Sequence, residues 1–233
     1  MWGYIKREEC AGGKIWLSEE WIAGVRFAVL HCGIINTPWR QYRLVRKLHR
    51  MREWGVRQSI VPHEWETLCL REGIHPVSEA PLRQTLMEPL WDRFCRQNGL
   101  QIQGCTVCLQ GSRRNPVTEQ AAVLLSRKAR YLVLELEDGQ EQMSNWLRRE
   151  YGLSVWRGGQ QVAAKICCGK AMAQDMPTLW LGQDCEKYQQ VTYSLNGVWR
   201  GEVEENPQLL TVLLTEGKLT PEDIEIKSVE SHA

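Results

Sequence analysis

Phenylalanine is nearly missing, with two in 233 residues, and no apolar run approaches the roughly 18 residues that a membrane helix needs. No membrane span is expected. An excess of either charge is missing too: 29 basic residues stand against 28 acidic ones, a formal net charge of +1. That balance excludes a strongly basic nucleic-acid coat and an acidic disordered chain. The first residues, from Met1 to Glu9, carry acids where a signal peptide needs an apolar core. The expected location is cytoplasmic. Phosphate-gripping fingerprints are absent as well. Neither G-x-G-x-x-G nor G-x-x-x-x-G-K-[ST] occurs, so NAD or ATP binding by those glycine-rich turns is disfavoured. HExxH and GxSxG do not occur either, and the sequence assigns neither a reaction nor a cofactor.

Tryptophan and cysteine are plentiful. Eleven Trp supply bulky surface for a core or an interface. Nine Cys (10, 32, 69, 95, 105, 108, 167, 168 and 185) are scattered over mostly apolar segments, as free, buried thiols are in a reducing compartment. Cys105 and Cys108 have the CxxC spacing, and Cys167 and Cys168 form a second pair. Residues three apart in a strand point to opposite faces, and the CxxC does not open a helix. No metal site is expected.

Hydrophobic alternation and turn residues divide the chain. Residues 1–24 read as an N-terminal β-hairpin turning at Cys10-Ala11-Gly12-Gly13. Residues 25–78 read as strand, helix, strand, helix, strand, with Thr37-Pro38 as N-cap and first helical residue. Residues 79–102 hold a crossover helix from about Ala80 to Asn98. Residues 103–157 repeat the five-element order, with Asn115-Pro116 opening the helix. Residues 158–233 read as a β-rich extension with a short helix from Gln208 to Thr215. The two halves share spacing: Gly33 to Pro38 and Gly111 to Pro116 are each five residues, while Gly33 to Gly73 and Gly111 to Gly152 are forty and forty-one. The expected fold is a single α/β domain, a Rossmann-like, doubly wound, mostly parallel sheet. It is built from two βαβαβ halves by internal duplication, their first strands side by side.

In such a sheet a ligand sits outside the carboxyl ends of the strands, at the switch point between the halves. The loops that would meet there carry Gly33, Asn36 and Thr37 on one side and Gly111, Ser112, Arg113 and Asn115 on the other. Arg113 and the adjacent Arg114 offer guanidinium forks, Ser112 a hydroxyl, and the helix start free N–H groups. These seven residues are the candidate ligand site, and the function expected is binding of a small anionic metabolite or nucleotide. The alternative is a non-catalytic scaffold or regulatory protein with a vestigial site, whose Trp2, Trp16 and Trp21 serve a partner or a homodimer. His31 and Cys32 end the first strand, where catalytic groups gather, but a nucleophilic Cys32 needs a base from elsewhere.

A third reading concerns the helix at 37–54, where Arg40, Arg43, Lys47 and Arg50 form a basic face and Val45, Leu48 and Tyr42 turn to the sheet. Nucleic acid could use that stripe. Charged helical faces are ordinarily solvated, no aromatic platform is read among the arginines, and residues 202–230 carry eight acids against two lysines. Nucleic acid therefore ranks last.

Overall fold

The structure, a computed structural model, describes residues 1–8, 14–33, 35, 37–101, 104–153, 155–156, 161–169, 176–182, 185–196 and 206–231. The chain is α/β with mostly parallel strands and two similar halves, but the halves build two five-stranded sheets rather than one. Two compact units result. One comprises Met1–Ser78 with Gln208–Thr220, and the other Glu79–Pro207 with Pro221–Ala233.

In the first unit, β1 (Trp2–Arg7), β2 (Ile15–Ile22), β3 (Val25–Cys32), β4 (Gln58–Ile60) and β5 (His75–Pro76) lie in the order β2-β3-β1-β4-β5. The expected hairpin of residues 2–21 is not formed. β1 runs parallel to β3 and β4, and the hairpin is β2 with β3, in register from Ile15↔Cys32 to Ile22↔Val25. Its turn is the two residues Ala23 and Gly24, both with positive φ (53° and 77°). That is the primed geometry whose twist matches antiparallel strands. The Cys10–Gly13 turn lies outside the described residues.

Helix α1 (Pro38–Glu53) starts as its sequence dictates, with the Thr37 side chain accepting from the Arg40 N–H and proline at the first position. It carries the chain from β3 past β1 to β4 and buries Leu44, Leu48 and Met51 against Ile5, Ala28, Leu30 and Cys32. Tyr42 does not face the sheet; it is 60% exposed, because Leu44 and Met51 complete the buried stripe. A 3₁₀ turn at His63–Trp65, helix α2 (Glu66–Arg71) and, from far down the chain, the apolar helix α7 (Pro207–Thr215) complete the unit.

In the second unit the expected crossover helix is two, α3 (Ala80–Thr85) and α4 (Met87–Gln97), divided at Leu86. β6 (Thr106–Arg113), α5 (Pro116–Lys128), β7 (Tyr131–Asp138), α6 (Gln140–Tyr151), β8 (Val155–Trp156), β9 (Val162–Cys167) and β10 (Thr178–Trp180) follow. All five strands are parallel, in the order β10-β9-β6-β7-β8. Renumbered within the unit that is 5-4-1-2-3, a doubly wound order: a βαβαβ half extended by two strands on the other side of its first strand. An antiparallel ribbon of β11 (Gln189–Leu195) and β12 (Ile224–Ser231) completes it.

The side-by-side placement of β3 and β6 is thus corrected, and the reason lies in their edges. β3 has β2 on one edge and β1 on the other, while β6 has β9 and β7. Neither first strand has a free row of N–H and C=O groups to offer the other half. The switch in winding falls inside the second unit, between β6 and β9. Among the described residues no helix is long and apolar enough to cross a membrane.

Candidate functional site

The carboxyl edge of β6 and β9 is where a doubly wound sheet opens to a ligand. Here it is built on glycines. A Cβ at Gly111 would lie 3.0 Å from Thr118 Cγ2 and 3.1 Å from Leu136 Cδ2, so the bare backbone lets α5 and β7 close on β6. One at Gly169 would lie 3.1 Å from the Ser112 nitrogen, and one at Gly182 would lie 2.5 Å from the Gly169 oxygen. Cys168 N–H donates to Gln110 O (2.8 Å) and Leu181 N–H to Cys167 O (2.9 Å), carrying the ladder past the strand ends. Gly169 and Gly182 lie in the extension beyond Trp156, where the sequence shows only short extended runs, and they were not read as site residues.

Polar groups at the rim divide into engaged and available ones. Asn115 caps α5: its Oδ1 accepts from Thr118 N–H (3.0 Å), and its own N–H donates to Thr118 Oγ1 (2.8 Å). This reciprocal capping box satisfies helix donors that an anion would otherwise meet. Arg114 donates through Nε to Glu119 Oε1 (2.6 Å) and lies over the Trp146 ring at 5.3 Å. Ser112 and Arg113 are exposed, and neither has a side-chain partner among the described residues.

Of the seven residues read from sequence, Gly111, Ser112, Arg113 and Asn115 thus gather in the second unit. Gly33 and Thr37 belong to the first, Gly33 buried after β3 and Thr37 engaged as the cap of α1, while Asn36 lies outside the described residues. Two cavities of the second unit, about 410 and 620 Å³, lie along α4 and α5, the first beside Trp146 and Tyr151 and the second beside Trp91 and Cys95. Neither Ser112 nor Arg113 is among the residues that line them.

Comparison with known proteins adds little. No known protein family matches the chain, and no curated protein does. Among solved structures, L-tryptophan dehydrogenase from Nostoc punctiforme is similar over 62% of this chain and 44% of its own, at 17% identity and a TM-score of 0.32. The chain spans less than half the length of that protein. The fold assignment rests on the strand order.

A second constellation, on the first unit, has members from three segments. The buried His31 ring, at the end of β3, places Nδ1 2.5 Å from Glu8 Oε1 and Nε2 2.8 Å from Ser18 Oγ. Trp16 stacks on it at 4.6 Å and 4°. Serine, imidazole and carboxylate in that connectivity are the parts of an activated nucleophile. Glu20 decides otherwise. Its Oε1 lies 2.7 Å from both His31 Nε2 and Ser18 Oγ. An imidazole can serve two carboxylates only by donating from both nitrogens, which leaves no lone pair for the Ser18 proton. The cluster therefore reads as a clasp on β2, β3 and the end of β1.

Burial raises the Glu20 pKa, but hydrogen bonds from Ser18 and His31 and the charges of His31 and Lys6 outweigh it, leaving the carboxyl below its ordinary value. A depressed carboxyl stabilises the fold above its unfolded pKa and ceases to do so as pH falls through the folded one. Acidification below about pH 4.5 is therefore expected to loosen β2. Protection of the β2 amides, with the intrinsic pH dependence of exchange divided out, should fall in wild type as pH is lowered and lose that dependence in Glu20→Gln. Equal pH dependence in both proteins would refute the clasp.

Burial pushes the thiols of Cys32, Cys69, Cys95 and Cys108 up to about 12, and that of Cys168 higher still. Thiols so placed are not nucleophiles near neutral pH. Among the described residues no group of three or more His, Cys, Asp or Glu is placed to hold a metal ion.

Proposed function

We propose that the second unit binds a small anionic metabolite or nucleotide at the carboxyl edge of β6, where Ser112 and Arg113 contact the anion. The observation that carries this reading is the strand order β10-β9-β6-β7-β8, whose switch between β6 and β9 directs a ligand to that edge. Arg113 contributes a planar fork suited to carboxylate or phosphate, and Ser112 a hydroxyl donor. Asn115 serves by shaping the helix start, and the reading assigns no reaction.

The test is a thermal-shift screen of the whole chain against nucleotides, sugar phosphates and carboxylates. A ligand at about 100 times its dissociation constant should stabilise the unit that binds it by about 2.7 kcal/mol. Ser112→Ala combined with Arg113→Ala should then weaken the best hit by about tenfold or more, since a charge-assisted contact is worth roughly 1.5–3 kcal/mol. Both residues are exposed, so the melt of the free protein should not move. Undiminished affinity in the double variant would remove the ligand from this edge.

A further inference from the structure

The outward face of α1 joins cations to exposed aromatic rings. Trp39 is 64% exposed and Tyr42 60%, and they open the same helix that carries Arg43, Arg46 and Arg50. Positions 39, 43, 46 and 50 follow spacings of four, three and four, so they form one stripe, with Tyr42 beside it. The stripe lies opposite Leu44, Leu48 and Met51, whose burial fixes which way the helix faces. Arg43 lies over the Trp39 ring at 4.8 Å, so cation and ring form one surface. The expectation that no aromatic platform interleaves with the arginines is therefore corrected: Trp39 and Tyr42 are that platform.

Acids do not neutralise the stripe within α1, whose one acid is Glu53. Glu72 is engaged by His49 at 3.0 Å. Of the eight C-terminal acids set against the stripe in the sequence, Glu216 belongs to the first unit and accepts from Trp2 Nε1 (2.7 Å), Glu222, Asp223, Glu225 and Glu230 belong to the second unit, and Glu202, Glu204 and Glu205 lie outside the described residues.

We propose that this face binds single-stranded nucleic acid, the arginines holding phosphates and the rings of Trp39 and Tyr42 stacking on unpaired bases. Stacking needs a free π-face on the base, which a strand offers and a duplex hides. Phosphate spacing suits a row of guanidinium groups about 10 Å long, the rise of the helix from Arg43 to Arg50. An anionic bilayer fits less well. The apolar face of α1 is already committed to the core, and a helix lying in a membrane must turn that face to the lipid. This site is distinct from the proposed edge of β6.

The test is fluorescence anisotropy of the full chain with labelled fifteen-residue dT and rU strands, a duplex of equal length and vesicles of anionic lipid. Single strands should bind, with a log–log salt slope of about −2 for three phosphate contacts, or about a twentyfold loss for a fourfold rise in salt. The dT and rU arms tell DNA from RNA. Trp39→Ala with Tyr42→Ala should weaken binding about tenfold or more and leave the salt slope unchanged. Arg43→Gln, Arg46→Gln and Arg50→Gln together should remove most of the affinity and flatten the slope. Ser112→Ala with Arg113→Ala should change nothing, which separates this site from the other. Three results would overturn the proposal: no binding at low salt, full affinity in the aromatic double variant, or tighter binding of duplex or vesicles than of single strand.

Discussion

Arg83→Met is expected to destabilise the second unit by about 3–5 kcal/mol, the cost of leaving a buried charge without its partner. Arg83 is fully buried on α3. Its Nη2 donates to Glu79 Oε2 (3.0 Å) and to the Gln189 carbonyl (2.6 Å). Gln189 in turn ties β11 to β10, its side chain accepting from Trp180 N–H and donating to Thr178 O, both at 3.2 Å. One guanidinium thus joins a helix, a ribbon and the sheet edge. Removing it leaves the buried Glu79 carboxylate without its cation and takes one donor from the Gln189 carbonyl. Glu79→Leu added to Arg83→Met should recover much of the loss, because an apolar pair of similar volume replaces buried ions at little cost. Arg83→Lys should fall between, since the shorter ammonium keeps the charge but not the reach of Nη2 to both partners. Urea unfolding of the three variants measures this, read on the transition of the second unit. A single variant no less stable than the double would show that the pair is not electrostatically coupled.

Gly182→Ala is expected to cost about 1–3 kcal/mol, the range for forcing extra atoms into a closed site. The new methyl would stand 2.5 Å from the Gly169 oxygen and 3.2 Å from the Cys168 carbonyl atoms, all of them backbone. A flexible side chain could swing away, but a strand end held by the Cys168 to Gln110 hydrogen bond cannot move alone. The strain should pass through Gly169 to the Ser112 nitrogen and disturb the proposed binding edge. The variant should therefore lose both stability and affinity for whatever ligand the screen identifies. Gly104→Ala is the control, since a Cβ there meets nothing within 4 Å. An unfolding midpoint for Gly182→Ala equal to that of the control would show that the backbones part freely.

The sequence carries those parts of the site that depend on near neighbours. Thr37-Pro38 and Asn115-Pro116 start helices by contacts within three residues, and the structure has both caps. Ser112 and Arg113 are polar residues at the end of an apolar strand, and they are exposed there. Asn115 shows the limit of such reading. Its type and position fit an anion contact and a cap equally well, and the geometry of Thr118 commits it to the cap. Tyr42 marks another limit. A four-residue count could place it on either side of the buried stripe until Leu44 and Met51 fixed the rotation of the helix.

By itself the sequence determined the elements and their alternation, because caps, turns and hydrophobic periods act over a few residues. The Ala23-Gly24 turn and the break at Leu86 were missed although each has a local marker: Gly24 admits positive φ, and Pro89, in the first turn of α4, has no N–H to donate back to residue 85. Only the tertiary structure decided which strand edges meet. Backbone hydrogen bonds are nearly alike along every edge, so β1 could join β3 by hairpin or in parallel, and β6 could take β3 or β9. The choice falls to side-chain packing between segments far apart in the chain. It put β1 between β3 and β4, β9 against β6, and two sheets where the repeat suggests one. The His31 clasp follows from the same pairing: Glu8, Ser18 and Glu20 reach one imidazole because β1 and β2 flank β3, and no spacing in the sequence records that.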